Sequence, residues 1–252
     1  MAGLPFKTAW ADEPGGGLRG ILERRQLRIL VSLGVPPLGY RDSSGAPNGF
    51  YVAIGRLLAE GLGVTPVFQD ALPGERLARL LAGEADVAGD VALSTENARR
   101  VLLTTPISRA DIVLAASVRH MLRRPMDLED HPVGMLAGAG LEGVAQETLP
   151  ASTRLLIYET TTALAAAAEQ RLVHAVMLRR PVMQRFLLDF PRLGLTHRFV
   201  LTRRWTSLGV PFGEHDLLRA LNSLIFIARA GGRISALSEA ILGTPQVDLP
   251  GF

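Results

Sequence analysis

Side chains that could do chemistry are scattered along this chain rather than grouped at the spacing of a catalytic or metal-binding motif. No cysteine is present, which excludes disulfides, thiolate nucleophiles and thiolate metal sites. Asp90 and Glu142 could each act as a general acid, but neither has an evident partner in the sequence. We therefore predict neither an enzyme nor a bound cofactor. The histidines also lack metal-ligand spacing, so we expect no metal; they are His120, His131, His174, His197 and His215.

Two positions could bind an anionic group. Gly138-Ala139-Gly140 precedes a predicted helix near 141–147, and its backbone N–H groups could face an anion, although a plain tight turn explains the glycines as well. Arg179 follows a predicted strand over 172–178 and could bind a carboxylate of a ligand. Alternatively, Arg179 could pair with Asp90 and merely latch two parts of the protein together.

The composition bounds the class of protein. The chain has 252 residues, of which 48% are hydrophobic and 20% charged, enough for two domains with substantial cores. Arginine carries nearly all the positive charge, but the Arg pairs are scattered, so we predict no nucleic-acid binding. No run of about 18 apolar residues exists, which argues against a membrane span.

The N-terminus has one ambiguous signal. Ala9-Trp10-Ala11 before Asp12 resembles the small-x-small end of a signal peptide. The preceding residues supply no apolar segment, so this is either the tail of a truncated signal or a chance resemblance.

The apolar periodicity predicts strands alternating with helices, in two similar units over 28–110 and 116–204. Arg28–Leu33 is a continuous apolar run typical of a strand buried in a parallel sheet, and Gly63 is a plausible helix C-cap. We interpret His174, within a predicted strand, as a core or surface group. Further strands are predicted over 65–68, 86–92, 133–136, 154–158 and 172–178, and helices near 18–25, 77–81, 141–147, 160–169, 181–188 and within 216–242.

Four segments, in this order, resemble one protein family. They are LRILVSLGVPPLGYRDSSGAPNGFYVAIGRLLAEGLGV, LLAGEADVAGDVALSTENARR, PVGMLAGAGLEGVAQETLP, and LVHAVMLRRPVMQRFL with the closing helices. Together they are similar, over roughly 18–243, to the periplasmic solute-binding proteins of the polar amino-acid type, family 3. No single motif is specific; the order and spacing of all four carry the resemblance.

The resemblance implies an α/β, periplasmic-binding-protein-like (type II) fold with two three-layer lobes and a two-strand hinge. We expect a flexible leader over 1–17, a discontinuous lobe over 18–110 and 206–245, a second lobe over 116–204, and a hinge near 111–115 and 205–210. It further implies a periplasmic monomer that closes on a small organic ligand and hands it to a membrane transporter component of an ABC system.

The positions where the family binds an amino acid depart from its pattern here. The arginine for the ligand carboxylate falls on Asn97 or Ala98, and the aspartate for the ammonium group falls on Arg179. The aromatic residue falls on Val35. Like charges would meet if an ammonium group bound at Arg179, so we expect α-amino acids to bind weakly or not at all.

These departures define the predicted site and its ligand. We expect a largely apolar, lipid-like molecule with one polar group; the alternatives are a small carboxylate held by Arg179, an accessory protein without a diffusible ligand, and a cyclohexadienyl-dehydratase-like enzyme. Tyr40 and Phe50 could equally be core of the hairpin. The predicted ligand-binding residues are Ser32, Val35, Leu38, Tyr40, Phe50, Asp90, Leu93, Ser94, Asn97, Gly140 and Arg179.

Overall fold

The computed structural model describes residues 17–246, which form two α/β lobes that share one nine-stranded mixed sheet. The possible signal-peptide end at 9–12 and the leader before Gly17 lie outside the described residues. The strands are β1 (Gln26–Val31), β2 (Gly34–Val35), β3 (Gly39–Arg41), β4 (Pro47–Asn48), β5 (Thr65–Asp70), β6 (Val87–Ala92), β7 (Leu102–Leu103), β8 (Ser108–Ser117), β9 (Pro132–Leu136), β10 (Arg154–Tyr158), β11 (Ala175–Arg179) and β12 (Leu195–Val210). The helices are α1 (Gly17–Arg24), α2 (Phe50–Leu62), α3 (Pro73–Leu81), α4 (Thr95–Ala98), α5 (Glu142–Thr148), α6 (Thr161–Glu169), α7 (Arg180–Asp189), α8 (His215–Ala230) and α9 (Arg233–Leu242).

The strand order shows how the lobes are built. The main sheet runs β10-β9-β11-β8-β12-β6-β1-β5, with β7 paired to β12, and β2-β3-β4 form a separate small sheet. Lobe 1 contains the parallel strands β5, β1 and β6 with α1–α4, α8 and α9, and lobe 2 contains the parallel strands β10, β9 and β11 with α5–α7. The predicted α/β fold with two lobes is confirmed.

Two long antiparallel strands connect the lobes. β8 pairs with β11 in lobe 2, while β12 pairs with β8 through most of its length and then with β6 in lobe 1. The proposed hinge near 111–115 and 205–210 falls inside these two strands. The sequence did not predict their length, because apolar residues in β12 are interrupted by the exposed polar positions Thr196, His197 and Arg203.

Local sequence explains the elements that border the site. Gly63 adopts the left-handed conformation (φ 69°) and ends α2, as predicted, with its N–H donating to the carbonyl of Glu60 at 3.0 Å. The Pro36–Pro37 peptide is cis. The turn of the hairpin is held by Asp42, whose Oδ1 accepts hydrogen bonds from Ser44 and Ala46.

The prediction for His174 was wrong. His174 lies just before β11 rather than inside a strand, because the ladder with β8 begins at Ala175. The helix predicted near 77–81 lies within α3, where Arg76 is only 2% exposed and lies on the buried face beside Leu77 and Leu80. Within residues 17–246, no helix combines the length and the apolar character needed to cross a membrane.

Candidate functional site

A narrow cleft separates the two lobes at the carboxyl ends of β1 and β11. Its volume is about 10 Å³, about the space that one water molecule needs. Most of its wall is apolar, and its charged groups come one from each lobe. The lining residues are Ser32, Val35, Leu38, Gly39, Tyr51, Pro73, Asp90, Gly138, Ala139 and Arg179.

An ion pair crosses the cleft between Asp90 of β6 and Arg179 at the end of β11. The Nη1 atom of Arg179 donates to both Oδ1 and Oδ2 of Asp90 at 2.8 Å. The side chain of Arg179 is 13% exposed and that of Asp90 is 10% exposed. Burial alone would lower the pKa of Arg179, but Asp90 and Tyr51 outweigh it, so the pKa of the guanidinium is raised. The guanidinium of Arg179 is therefore charged at neutral pH.

Asp90 is held in an unusual backbone conformation. Its φ angle is +53°, in the left-handed region that few non-glycine residues adopt. Arg76 of α3 stabilises this turn, because its Nη1 donates to the carbonyl oxygens of Gly89 at 2.7 Å and Asp90 at 2.9 Å. The carboxylate of Asp90 is thus fixed to lobe 1 before it meets Arg179.

Arg76 is itself a buried cation, and among residues 17–246 it has no hydrogen-bonded carboxylate. Its Nη2 donates to Ser32 Oγ at 2.6 Å and to the carbonyl of Ala71 at 3.3 Å, and its Nε has no partner within the same described residues. Burial lowers the pKa of this guanidinium, and the nearby Asp90 opposes that effect. A second positive charge therefore lies directly behind the cleft wall.

Tyr51, which lines the cleft, belongs to a buried triangle of hydroxyl groups. The hydroxyl of Tyr51 lies 3.0 Å from Ser108 Oγ and 2.8 Å from Thr206 Oγ1, and those two atoms are 2.7 Å apart. Burial raises the pKa of Tyr51, so its hydroxyl stays protonated. Since Ser108 and Thr206 belong to β8 and β12, the triangle ties α2 of lobe 1 to the strands that connect the lobes.

The lobes are in contact at the rim. A Cβ atom placed on Gly140 would lie 3.0 Å from Cβ of Pro73, and one placed on Gly138 would lie 3.0 Å from Cδ2 of Leu72. Both glycines have positive φ angles, 67° and 65°. The cleft is therefore closed in this structure, with no space for larger side chains in the glycine turn.

The structure brings together only part of the predicted site. Ser32, Val35, Leu38, Asp90 and Arg179 line the cleft, and Gly140 lies at its rim. The remaining predicted residues are outside the lining. Tyr40 is half-buried in β3 and Phe50 is fully buried core; Leu93 is half-buried after β6, Ser94 caps α4, and the side chain of Asn97 donates to the carbonyl of Ala92 at 2.9 Å. A role of any of these residues in ligand binding stays a prediction.

Sequence reasoning missed Gly39, Tyr51, Pro73 and the supporting Arg76. Tyr51 follows Phe50 at the start of α2. Two adjacent aromatic residues there are equally consistent with a hydrophobic core, so the sequence did not single out Tyr51. Arg76 lies one turn before Leu80 on α3, so the spacing places it on the apolar face. That spacing was the available signal, but arginine is rarely buried and its position was not informative without the structure.

Three histidines come together at the opposite end of lobe 2. The ring of His174 stacks between those of His120 and His131, with ring centres 3.7 Å and 4.0 Å apart. His120 Nδ1 donates to the carbonyl of His174 at 3.1 Å. Parallel rings do not direct their nitrogens at one point, and no group of three metal-ligating side chains is arranged around a common centre among residues 17–246.

Comparisons with known proteins agree with the fold and the cleft. The model of bacterial extracellular solute-binding proteins, family 3, matches residues 27–244. The L-cystine-binding protein TcyJ of Escherichia coli (strain K12) is 24% identical over 246 residues, which are 96% of this chain and 91% of that relative.

Solved structures show the same architecture. Tv2483 bound to L-arginine superposes with a TM-score of 0.80 at 17% identity, covering 96% of this chain and 100% of that one. The solute receptor for L-cysteine of Neisseria gonorrhoeae superposes with a TM-score of 0.78 at 21% identity, covering 90% and 94%. The family match extends over most of the chain and includes both walls of the cleft, and we conclude that the protein belongs to the bacterial extracellular solute-binding proteins, family 3.

Proposed function

We propose that the protein is the periplasmic receptor of an ABC-type uptake system and that its ligand is a small organic molecule whose carboxylate binds Arg179. The supporting observation is the charge of the cleft. Among residues 17–246, the guanidinium groups of Arg76 and Arg179 lie at the cleft, whereas Asp90 is the one residue with a carboxylate in the cleft lining. Because an unbalanced buried charge is costly, one added negative charge from a ligand would be stabilised here.

The closed cleft offers no room for a long chain. Its volume is only about 10 Å³, about the space that one water molecule needs, so a ligand can enter only after the lobes separate. Val35, Leu38 and Ala139 supply apolar contacts for a short carbon skeleton. A lipid-like cargo, which the sequence suggested, gains no support from this geometry or from the relatives.

The relatives are consistent with a carboxylate ligand. The names of TcyJ and of the Neisseria gonorrhoeae receptor refer to L-cystine and L-cysteine, and Tv2483 was solved with L-arginine. Each of these molecules has a carboxylate. Asp90, which the sequence offered as one possible partner of Arg179, is a group that an ammonium group of such a ligand could use. Amino acids therefore belong in the test despite the reversed charge at position 179.

Isothermal titration calorimetry would test this function. The ligands would be the common amino acids, L-cystine, acetate, succinate and, as a lipid-like reference, decanoate. We expect at least one small carboxylate to bind with a micromolar dissociation constant, and Arg179→Gln to weaken it about 100-fold or more, the loss typical of a truncated buried charge pair.

Arg185→Gln is the matched control. Arg185 lies on α7, is exposed, and pairs with Asp189 at 2.8 Å within the same helix. We expect this variant to bind like the wild type. The proposal would be overturned if decanoate were the tightest ligand, or if Arg179→Gln bound the best carboxylate as well as the wild type does.

A further inference from the structure

We infer that Asp90 is an internal competitor of the ligand: it occupies on Arg179 the place that the ligand carboxylate takes, and thereby holds the cleft closed without ligand. This inference rests on the proposed function for the identity of the group displaced. The closure itself depends only on the protein.

The geometry of the pair indicates that Asp90 competes with a ligand carboxylate for Arg179, rather than only stabilising the fold. Asp90 accepts from a single nitrogen of Arg179, the Nη1 atom, with both of its carboxylate oxygens at 2.8 Å. Both side chains line the cleft where a ligand must bind. A carboxylate arriving from solution would seek the same donor, because charge-assisted bonds to guanidinium are the strongest that this cleft offers.

Each member of the pair is anchored to its own lobe, so movement of the lobes changes the distance between the two charges. Asp90 cannot follow Arg179, because its left-handed backbone is fixed by the bonds from Arg76 to the carbonyl oxygens of Gly89 and Asp90. Arg179 ends β11, whose ladder with β8 fixes it to lobe 2. Opening the cleft therefore separates the two charges, and closing it reunites them unless a ligand lies between.

The electrostatics make the effect of removing Asp90 predictable. Without its carboxylate, the guanidinium groups of Arg76 and Arg179 would approach each other across a poorly hydrated space with no negative charge between them. Like charges in such surroundings repel strongly. The unliganded lobes would then open, and any small anion would bind more tightly than before.

Competition also selects among ligands. A ligand that takes Arg179 leaves the Asp90 carboxylate without its donor, which is unfavourable in a closed cleft. A molecule that carries a hydrogen-bond donor or a cation beside its carboxylate restores that bond. The apparent dissociation constant rises by the reciprocal of the fraction of protein in which Arg179 is free, so Asp90 lowers affinity for every ligand that does not satisfy it.

Distance measurements between spin labels would test the closure. The chain has no cysteine, so Glu75→Cys on α3 and Gln146→Cys on α5 create two unique, exposed labelling sites on opposite lobes. In the unliganded protein we expect one narrow, short distance. Asp90→Asn should shift the distribution to longer distances; asparagine tolerates the left-handed conformation, so the backbone is preserved.

Asp189→Asn is the matched control, because it removes the carboxylate of another Arg–Asp pair with the same 2.8 Å distance, within one lobe. It should leave the distances unchanged. Identical distributions for Asp90→Asn and the wild type would overturn the inference, whether or not any ligand has been found. A lack of any carboxylate ligand for the wild type would instead overturn the proposed function alone.

Acetate would test the competition directly. Nuclear magnetic resonance titration should show acetate binding to Asp90→Asn at least tenfold more tightly than to the wild type, and no binding to Arg179→Gln. Equal affinity in Asp90→Asn and the wild type would show that Asp90 does not compete, and would overturn this part of the inference.

Discussion

The two walls of the cleft hold their arginines in different ways. In lobe 1, Arg76 is almost fully buried and donates to backbone carbonyls and to Ser32 of its own lobe. In lobe 2, Arg179 donates to Asp90 of the opposite lobe. The arginine in the wall of lobe 1 therefore has all its hydrogen-bond acceptors within lobe 1, whereas the arginine in the wall of lobe 2 takes its acceptor from lobe 1. This difference suggests that lobe 1 presents a fixed surface and that lobe 2 docks on it.

Removing Arg76 should have the largest effect on stability. Arg76→Met would remove the hydrogen bonds from the guanidinium to the carbonyls of Gly89 and Asp90 and to Ser32 Oγ, and we expect the free energy of unfolding to fall by about 3–5 kcal/mol. Urea denaturation measures it. Arg79→Met on the same helix is the control, because Arg79 is half-buried in a pair with Glu84 and should cost about 1 kcal/mol or less. Equal losses would show that Arg76 does not organise lobe 1.

Removing Arg179 should destabilise the fold less than removing Arg76. In Arg179→Met the lobes can open and let water reach Asp90, so we expect a loss of about 2 kcal/mol. A double-mutant cycle with Asp90→Asn should give a coupling energy of about 1–3 kcal/mol, the range for contacting residues. Additive effects of the two changes would mean that the pair contributes nothing to the closed form.

The sequence predicted the frame of this site better than its chemistry. Runs such as Arg28–Leu33 and the cap at Gly63 depend on neighbours in sequence, so local patterns reveal them. The contact of Asp90 with Arg179 joins residues far apart in sequence and from different lobes. The sequence could offer that pair only as one of several alternatives. The burial of Arg76 was missed because nothing in the sequence shows that neutral oxygens surround it.

The stack of His120, His131 and His174 lies at the end of lobe 2 away from the cleft. At about 3.3 Å per residue, His174 is about 16 Å from Arg179 along β11. Burial and then the neighbouring rings of His120 and His131 lower the pKa of His174 to about 4, from an unperturbed 6.5. The folded state thus binds this proton less readily than the unfolded state. The contribution of neutral His174 to the free energy of unfolding is therefore complete above pH 6.5 and is lost as the pH falls towards 4.

We expect that loss to be about 1–2 kcal/mol, less than the full shift implies, because solvent screens this partly exposed ring. Urea denaturation at pH 7 and at pH 4.5 measures it. His174→Gln should reduce the difference between the two pH values, whereas His215→Gln, an exposed residue at the start of α8, should not. An unchanged difference in His174→Gln would assign the acid sensitivity to other groups.

The glycine turn of lobe 2 should show the smallest effect and the most specific one. Gly140 has a φ angle of 67°, and a Cβ atom there would lie 3.0 Å from Pro73 of lobe 1. Gly140→Ala should lower the free energy of unfolding by about 1 kcal/mol through backbone strain and should also hinder closure of the cleft.

Gly143→Ala is the control for Gly140→Ala. It shows what a glycine-to-alanine change does in the same region without backbone strain and without a contact to lobe 1. Gly143 lies in the first turn of α5, has no atom within 4 Å of its would-be Cβ, and should gain up to about 1 kcal/mol from higher helix propensity. If Gly140→Ala shifted the distances between labels at 75 and 146 to longer values and Gly143→Ala did not, contact of the turn with Pro73 would be part of closure. If neither variant changed those distances, the lobes would close without the contact between Gly140 and Pro73.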